Sequence, residues 1–123
     1  MAGTVEENRI NGHLMITVEL TCVADVADGS FPNTEITALR EWFLYSMETV
    51  TPGTAPTANY DIELQSPHGT DLLGGNGADR AAAGNEIAYP ETAPAMVDGT
   101  LTQVISNNSV NSATITIVYQ FVR

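Results

Sequence analysis

Between His13 and Ala24 the chain alternates strictly: Leu14, Ile16, Val18, Leu20, Cys22 and Ala24 fall on one side, and Met15, Thr17, Glu19, Thr21 and Val23 on the other. A period of two marks a half-buried β-strand, because successive side chains of an extended backbone point to opposite faces. The same pattern sets Tyr60, Ile62 and Leu64 against Asp61 and Glu63. It also sets Ala113, Ile115, Ile117, Tyr119 and Phe121 against Thr114, Thr116, Val118, Gln120 and Val122. Thr100 to Ser106 is rich in β-formers, and the polar run Asn107 to Ser112 separates it from the last strand. That spacing predicts an antiparallel hairpin at the C-terminus.

The segment Ile36 to Val50 carries two periods. Ile36, Leu39, Phe43, Met47 and Val50 match helical spacing, whereas Trp42, Leu44 and Ser46 alternate with Phe43, Tyr45 and Met47 as a strand would. Aromatic and β-branched residues favour a strand from Glu41 to Thr51, stopped by Pro52-Gly53, with room for a turn of helix before Arg40. Pro52, Gly53 and Pro56 then fix a tight connection. Pro67 to Gly84 holds five glycines and three consecutive alanines, a long small-residue loop of the kind that carries contacts in compact domains.

The 123 residues suffice for one core, and 43% hydrophobic content without a long apolar run fits a folded domain with no membrane span. Charge narrows the partners. Fifteen acidic residues face four basic ones, all arginine, for a formal net charge of -11. Arg9, Arg40, Arg80 and Arg123 are too scattered to bind a phosphate backbone, so neither nucleic acid nor an anionic membrane is expected as a partner. Cys22 is the single cysteine and lies in an apolar run, where a buried, inert thiol is expected. The opening MAGTVEENRI has no apolar signal-peptide core, so synthesis in a cytoplasm is expected and the Asn107-Asn108-Ser109 sequon is accidental.

Little in the chain suggests catalysis. A nucleophilic triad needs a histidine, and only His13, at the exposed start of a strand, and His68, in the turn Pro67-His68-Gly69, are available. His68 with Asp71 and Asp79 lacks a second histidine or cysteine for zinc. Asp71, Asn76 and Asp79 lack the calcium-loop spacing and read as turn caps, and Gly74, Gly75 and Gly77 lack the lysine of a phosphate loop. Trp42, Phe43, Tyr45, Tyr60, Tyr89, Tyr119 and Phe121 are expected mostly in the core, with sugar stacking as the alternative use of any that are exposed.

WFLYSMETVTPGTAPTANYDIEL, HGTDLLGGNGADR, DGTLTQVISNNSV and SATITIVYQF follow one another from Trp42 to Phe121, roughly two thirds of the chain. In these segments the sequence resembles a group of small virion proteins of tailed bacteriophages. The block Pro52 to Arg80 is the most specific, through Pro56, Thr57, Tyr60, Asp61, Gly69, Asp71, Leu73, Gly74 and Arg80. The resemblance implies a β-rich structural protein of the virion, most like a head decoration or cement protein. Such a protein would be made in the host cytoplasm and placed on the capsid surface, with the major capsid protein and itself, as a homotrimer, for partners. It implies no enzyme activity and no cofactor. A tail, neck or baseplate subunit and a glycan-binding module are the alternatives.

The expected fold is all-β: a single-domain antiparallel β-sandwich of about six to eight strands, with a small jelly roll as one form of it. Residues 1–12 are expected as an N-terminal arm, either anchoring on the capsid or frayed as a tail, and 13–123 as the sandwich domain. Expected core positions are Leu14, Ile16, Val18, Leu20, Ile62, Leu64, Ile115, Ile117, Tyr119 and Phe121. Expected partner contacts are Glu6, Glu7, Arg9, His68, Asp71, Asn76, Asp79 and Arg80.

Overall fold

The computed structural model describes residues 2–92 and 94–123. Its nine strands are β1 (Thr4–Asn11), β2 (Met15–Val23), β3 (Thr34–Ile36), β4 (Phe43–Val50), β5 (Asp61–Gln65), β6 (Glu86–Ala88), β7 (Ala95–Met96), β8 (Leu101–Ser106) and β9 (Thr114–Val122). All pairings between these strands are antiparallel. One sheet runs β1-β2-β9-β4-β6, with β7 on the same side of β4 as β6; the other runs β3-β8-β5. The pairs β2 with β9, β3 with β8 and β4 with β6 nest inside one another, and the innermost pair shrinks to a bridge between Tyr60 and Arg80. This nesting is that of a small jelly roll.

The inward phase of each strand builds the core between the sheets. Ile16, Val18, Leu20, Cys22, Leu44, Met47, Ile115, Ile117, Tyr119 and Phe121 of the larger sheet face Ile36, Ile62, Leu64, Leu101 and Ile105 of the smaller one. The expected core is therefore correct except for Leu14, which is 63% exposed. Leu14 lies past the end of the ladder in a two-residue turn closed by the Gly12 N–H to the Met15 carbonyl at 2.9 Å.

Four further expectations are corrected. β8 and β9 form no hairpin: β8 lies between β3 and β5, and β9 between β2 and β4. Both strands carry an apolar face, and an arch between the sheets lets those faces meet across the core, where a hairpin would set them side by side. The arch turns at Asn107 and Ser112, with φ of 63° and 58°. No helical turn precedes Arg40; β3 occupies 34–36, and Ala38 and Glu41 have positive φ. Residues 4–11, expected within an arm outside the domain, are β1, registered on β2 over its whole length. Met1 of that arm lies outside the described residues. The strand count exceeds the expected range because β6 and β7, of three and two residues, are too short to carry a period.

Candidate interaction surface

The residues expected to contact partners fall into two groups at opposite lateral edges of the sandwich. On β1, Glu6 and Glu7 are exposed. Arg9 is tied down: its Nε meets Glu7 Oε2 at 2.9 Å and its Nη1 donates to the Thr37 carbonyl at 2.7 Å. The second group lines the outer edge of β5. His68 is exposed in the turn from Ser66 to Thr70. Asp71 organises the loop, its carboxylate accepting the backbone N–H groups of Leu64, Leu73 and Gly75 at 3.0–3.1 Å. The Asn76 amide donates to the Tyr89 carbonyl, and the Asp79 N–H to Asp61 Oδ1. Gly77 is required here because a Cβ would stand 2.3 Å from the Ile62 carbonyl oxygen.

Arg80 is corrected from a surface contact to a core residue, only 5% exposed. Its Nη2 donates to Thr49 Oγ1 at 2.9 Å, and Glu86 lies 3.6 Å from its Nε, which makes no hydrogen bond. The loop therefore sends a cation inward to join β5, β4 and β6. The Tyr60 hydroxyl, buried beside this cluster, lacks a well-formed partner, and burial raises its pKa. A second buried chain crosses the core: Tyr119 donates to Gln103 Oε1 at 2.6 Å, and Gln103 Nε2 to Cys22 Sγ at 3.6 Å. Burial pushes the Cys22 thiol up to about 11, against the opposing pull of the Gln103 hydrogen bond.

The outer faces of the two sheets differ sharply. On the smaller sheet the outward residues are Glu35, Asp61, Glu63, Gln65, Thr102, Val104 and Ser106, of which Val104 alone is apolar. On the larger sheet, the register aligns Met15, Val122, Phe43 and Met96 in one outward row across β2, β9, β4 and β7. Strands spaced about 4.8 Å apart make that row roughly 14 Å wide. A parallel row holds Asn8, Glu19, Val118, Glu48 and Ile87. Of the large apolar side chains that stand exposed, Ile10, Met15, Tyr45, Ile87 and Met96 belong to this sheet, and Leu14 adjoins it. Tyr45 sits at the register shift of β4 and meets Tyr89 edge-on, ring centroids 5.9 Å apart.

Glu6, Glu19 and Glu48 are the charged residues on this outer face, and among the described residues none of the arginines joins them. The sequence reading missed the surface because it took the second phase of each strand as solvent-facing and polar. The signal was nevertheless present: Met15 and Val23 on β2, and Val118 and Val122 on β9, put apolar residues into the outward phase of these strands too.

Among the described residues, no group of three or more His, Cys, Asp or Glu side chains is placed to hold a metal ion, and no helix is long and apolar enough to cross a membrane. No protein-family model matches the chain, and no curated protein matches it.

Proposed function

We propose that this chain is a structural protein of a tailed-phage particle that binds the outside of the head and cements neighbouring major capsid subunits. The observation that carries the reading is the exposed apolar row Met15, Val122, Phe43 and Met96 on the outer face of the larger sheet. A cement protein holds by area, and a stable contact needs about 800 Å² from each partner. Five strands of up to nine residues give a face of roughly 20 by 30 Å, on the order of 600 Å² before any loop contributes. Within that face the apolar row is set among polar residues, the pattern of an apolar contact rimmed by polar groups that marks an interaction site. The formal charge of -11 keeps such a surface soluble before assembly and gives it no affinity for packaged DNA.

The test is co-sedimentation of the purified chain with phage heads stripped of their decoration, with immature shells and isolated tails as controls. Saturable binding to expanded heads at a fixed ratio per capsomer is expected. Binding to tails, necks or baseplates alone would replace this reading with a tail-assembly role.

A second reading rests on Tyr45 and Tyr89, the exposed aromatic pair. Exposed tyrosines beside polar groups are the usual equipment of a sugar platform. Saturable glycan binding lost in Tyr45→Ala and Tyr89→Ala, with no binding to heads, would favour a glycan-binding module.

A further inference from the structure

Exposed sheet edges are templates for pairing, and proteins ordinarily blunt them. Three of the edges here are blunted. β3 has three residues; β6 and β7 have three and two. β5 is covered by the 71–80 segment through the Tyr60–Arg80 and Gln65–Asp71 bridges and the Ile62 N–H to the Gly77 carbonyl at 2.9 Å. β1 differs: it has eight residues, pairs among the described residues only with β2, and carries no proline, lysine or bulge. Its inward-pointing charges, Glu7 and Arg9, are of opposite sign and so can be matched by a second copy.

The free groups on β1 can be assigned. Gly12 donates to the Met15 carbonyl, so Gly12 and Met15 form a hydrogen-bonded pair. Hydrogen-bonded and non-hydrogen-bonded pairs alternate along an antiparallel ladder. Counting back through the unbroken register, Ile10, Asn8, Glu6 and Thr4 therefore direct their backbone groups to β2. Val5, Glu7, Arg9 and Asn11 direct theirs to the open edge, and their side chains share the inner face of the sheet with Cys22, Leu20, Val18 and Ile16.

We propose that two copies of this chain pair antiparallel through β1, about a twofold axis at Asn8. A symmetric ladder must match outward-directed residues with each other, which near the middle of the strand leaves Glu7, Asn8 or Arg9 on the axis. Glu7 on the axis sets Glu7 against its own copy, and Arg9 on the axis does the same for arginine; like charges directly opposite destabilise a sheet. Asn8 on the axis sets Glu7 opposite Arg9 of the second copy, twice, and Val5 opposite Asn11, twice. All four outward-directed residues of each strand then bond. Arg9 can keep the Thr37 carbonyl and still reach the second copy, because its guanidinium has five N–H donors and holds only two acceptors here. The two asparagine amides meet on the outer face. This arrangement is twofold, unlike the homotrimer suggested by analogy, and it does not depend on the capsid reading.

Sedimentation of the full chain over a concentration series tests it. A species of twice the 13.1 kDa chain mass is expected. Glu7→Arg, which sets arginine against Arg9 of the second copy, should weaken association at least tenfold while circular dichroism stays unchanged. Glu7→Arg combined with Arg9→Glu should restore most of it. Independently, Asn8→Cys should crosslink on mild oxidation, because a non-hydrogen-bonded pair holds its Cα atoms about 4.5 Å apart, within disulfide reach. Thr4→Cys, at the far end of the strand, should not. A chain monomeric at every concentration, a double reversal no better than the single one, or equal crosslinking of the two cysteine variants would each overturn the proposal.

Discussion

Cys22, Gln103 and Tyr119 form a buried polar chain whose titratable groups make stability fall at alkaline pH. Gln103 is fully buried, and both ends of its amide are used, by the Tyr119 hydroxyl and the Cys22 sulfur. The Cys22 thiol is pushed from 9.0 to about 11 by burial. The unfolded chain therefore loses this proton first as pH rises, and stability falls between pH 9 and 11 while being fully retained below 9. Two pH units at about 1.4 kcal/mol each put the loss at roughly 2–3 kcal/mol. Tyr119 and Tyr60, also raised by burial, extend the loss above pH 10. Urea unfolding at pH 8 and 10.5 should record this drop. Cys22→Ser keeps an acceptor for Gln103 and removes the thiol titration, so its drop should be smaller by the cysteine share.

At the scale of elements, the arch between β8 and β9 decides the fold, and Asn108 holds it. Its Oδ1 accepts from the Thr57 N–H at 2.8 Å and the Val110 N–H at 3.3 Å, and its Nδ2 donates to the carbonyls of Gly29 at 2.7 Å and Val110 at 3.1 Å. One amide thus ties three connections together at one end of the sandwich. Asn108→Ala should cost about 2–4 kcal/mol in equilibrium unfolding, since each of the four bonds is worth roughly 0.5–1 kcal/mol net. Asn108→Asp retains the two accepted bonds but sets a carboxylate oxygen against the Gly29 and Val110 carbonyls, so it should cost at least as much as the alanine variant. β2, β4, β5, β8 and β9 were legible in the sequence because each buries one phase of a period-two run. The pairing of β8 and β9 was not, because alternation tells which face is buried and says nothing about the sheet that receives it. Arg80 was misplaced for a related reason: a charged residue in a glycine-rich loop reads as exposed until Thr49 and Glu86, distant in sequence, are brought to it by the fold.

For the molecule as a whole, the outer faces of the two sheets differ in polarity. The smaller sheet turns acidic and amide side chains outward, while the larger turns out Met15, Val122, Phe43 and Met96 in a continuous row. Folding does not require that row, because the core is filled by the opposite phase of the same strands. Its retention in a chain of net charge -11 is best explained by a surface it must cover. Met15→Thr with Met96→Thr replaces two well-exposed side chains, so the melting temperature should move by no more than a few degrees, as surface substitutions usually cost within about 0.5 kcal/mol each. Binding to stripped heads should fall at least tenfold in the same variant. Val104→Thr on the smaller sheet is the matched control and should bind as the parent does. Glu19 and Glu48 flank Val118 on the outer face of the larger sheet proposed to bind heads, and strand spacing places them roughly 10 Å apart. The surface they meet is therefore expected to present arginine or lysine. Glu19→Lys with Glu48→Lys should slow association, and the slowing should shrink as salt screens the charges. If both face variants bind heads as tightly as the parent, the contact lies on another surface; if the parent fails to bind at all, it is the cement role itself that falls.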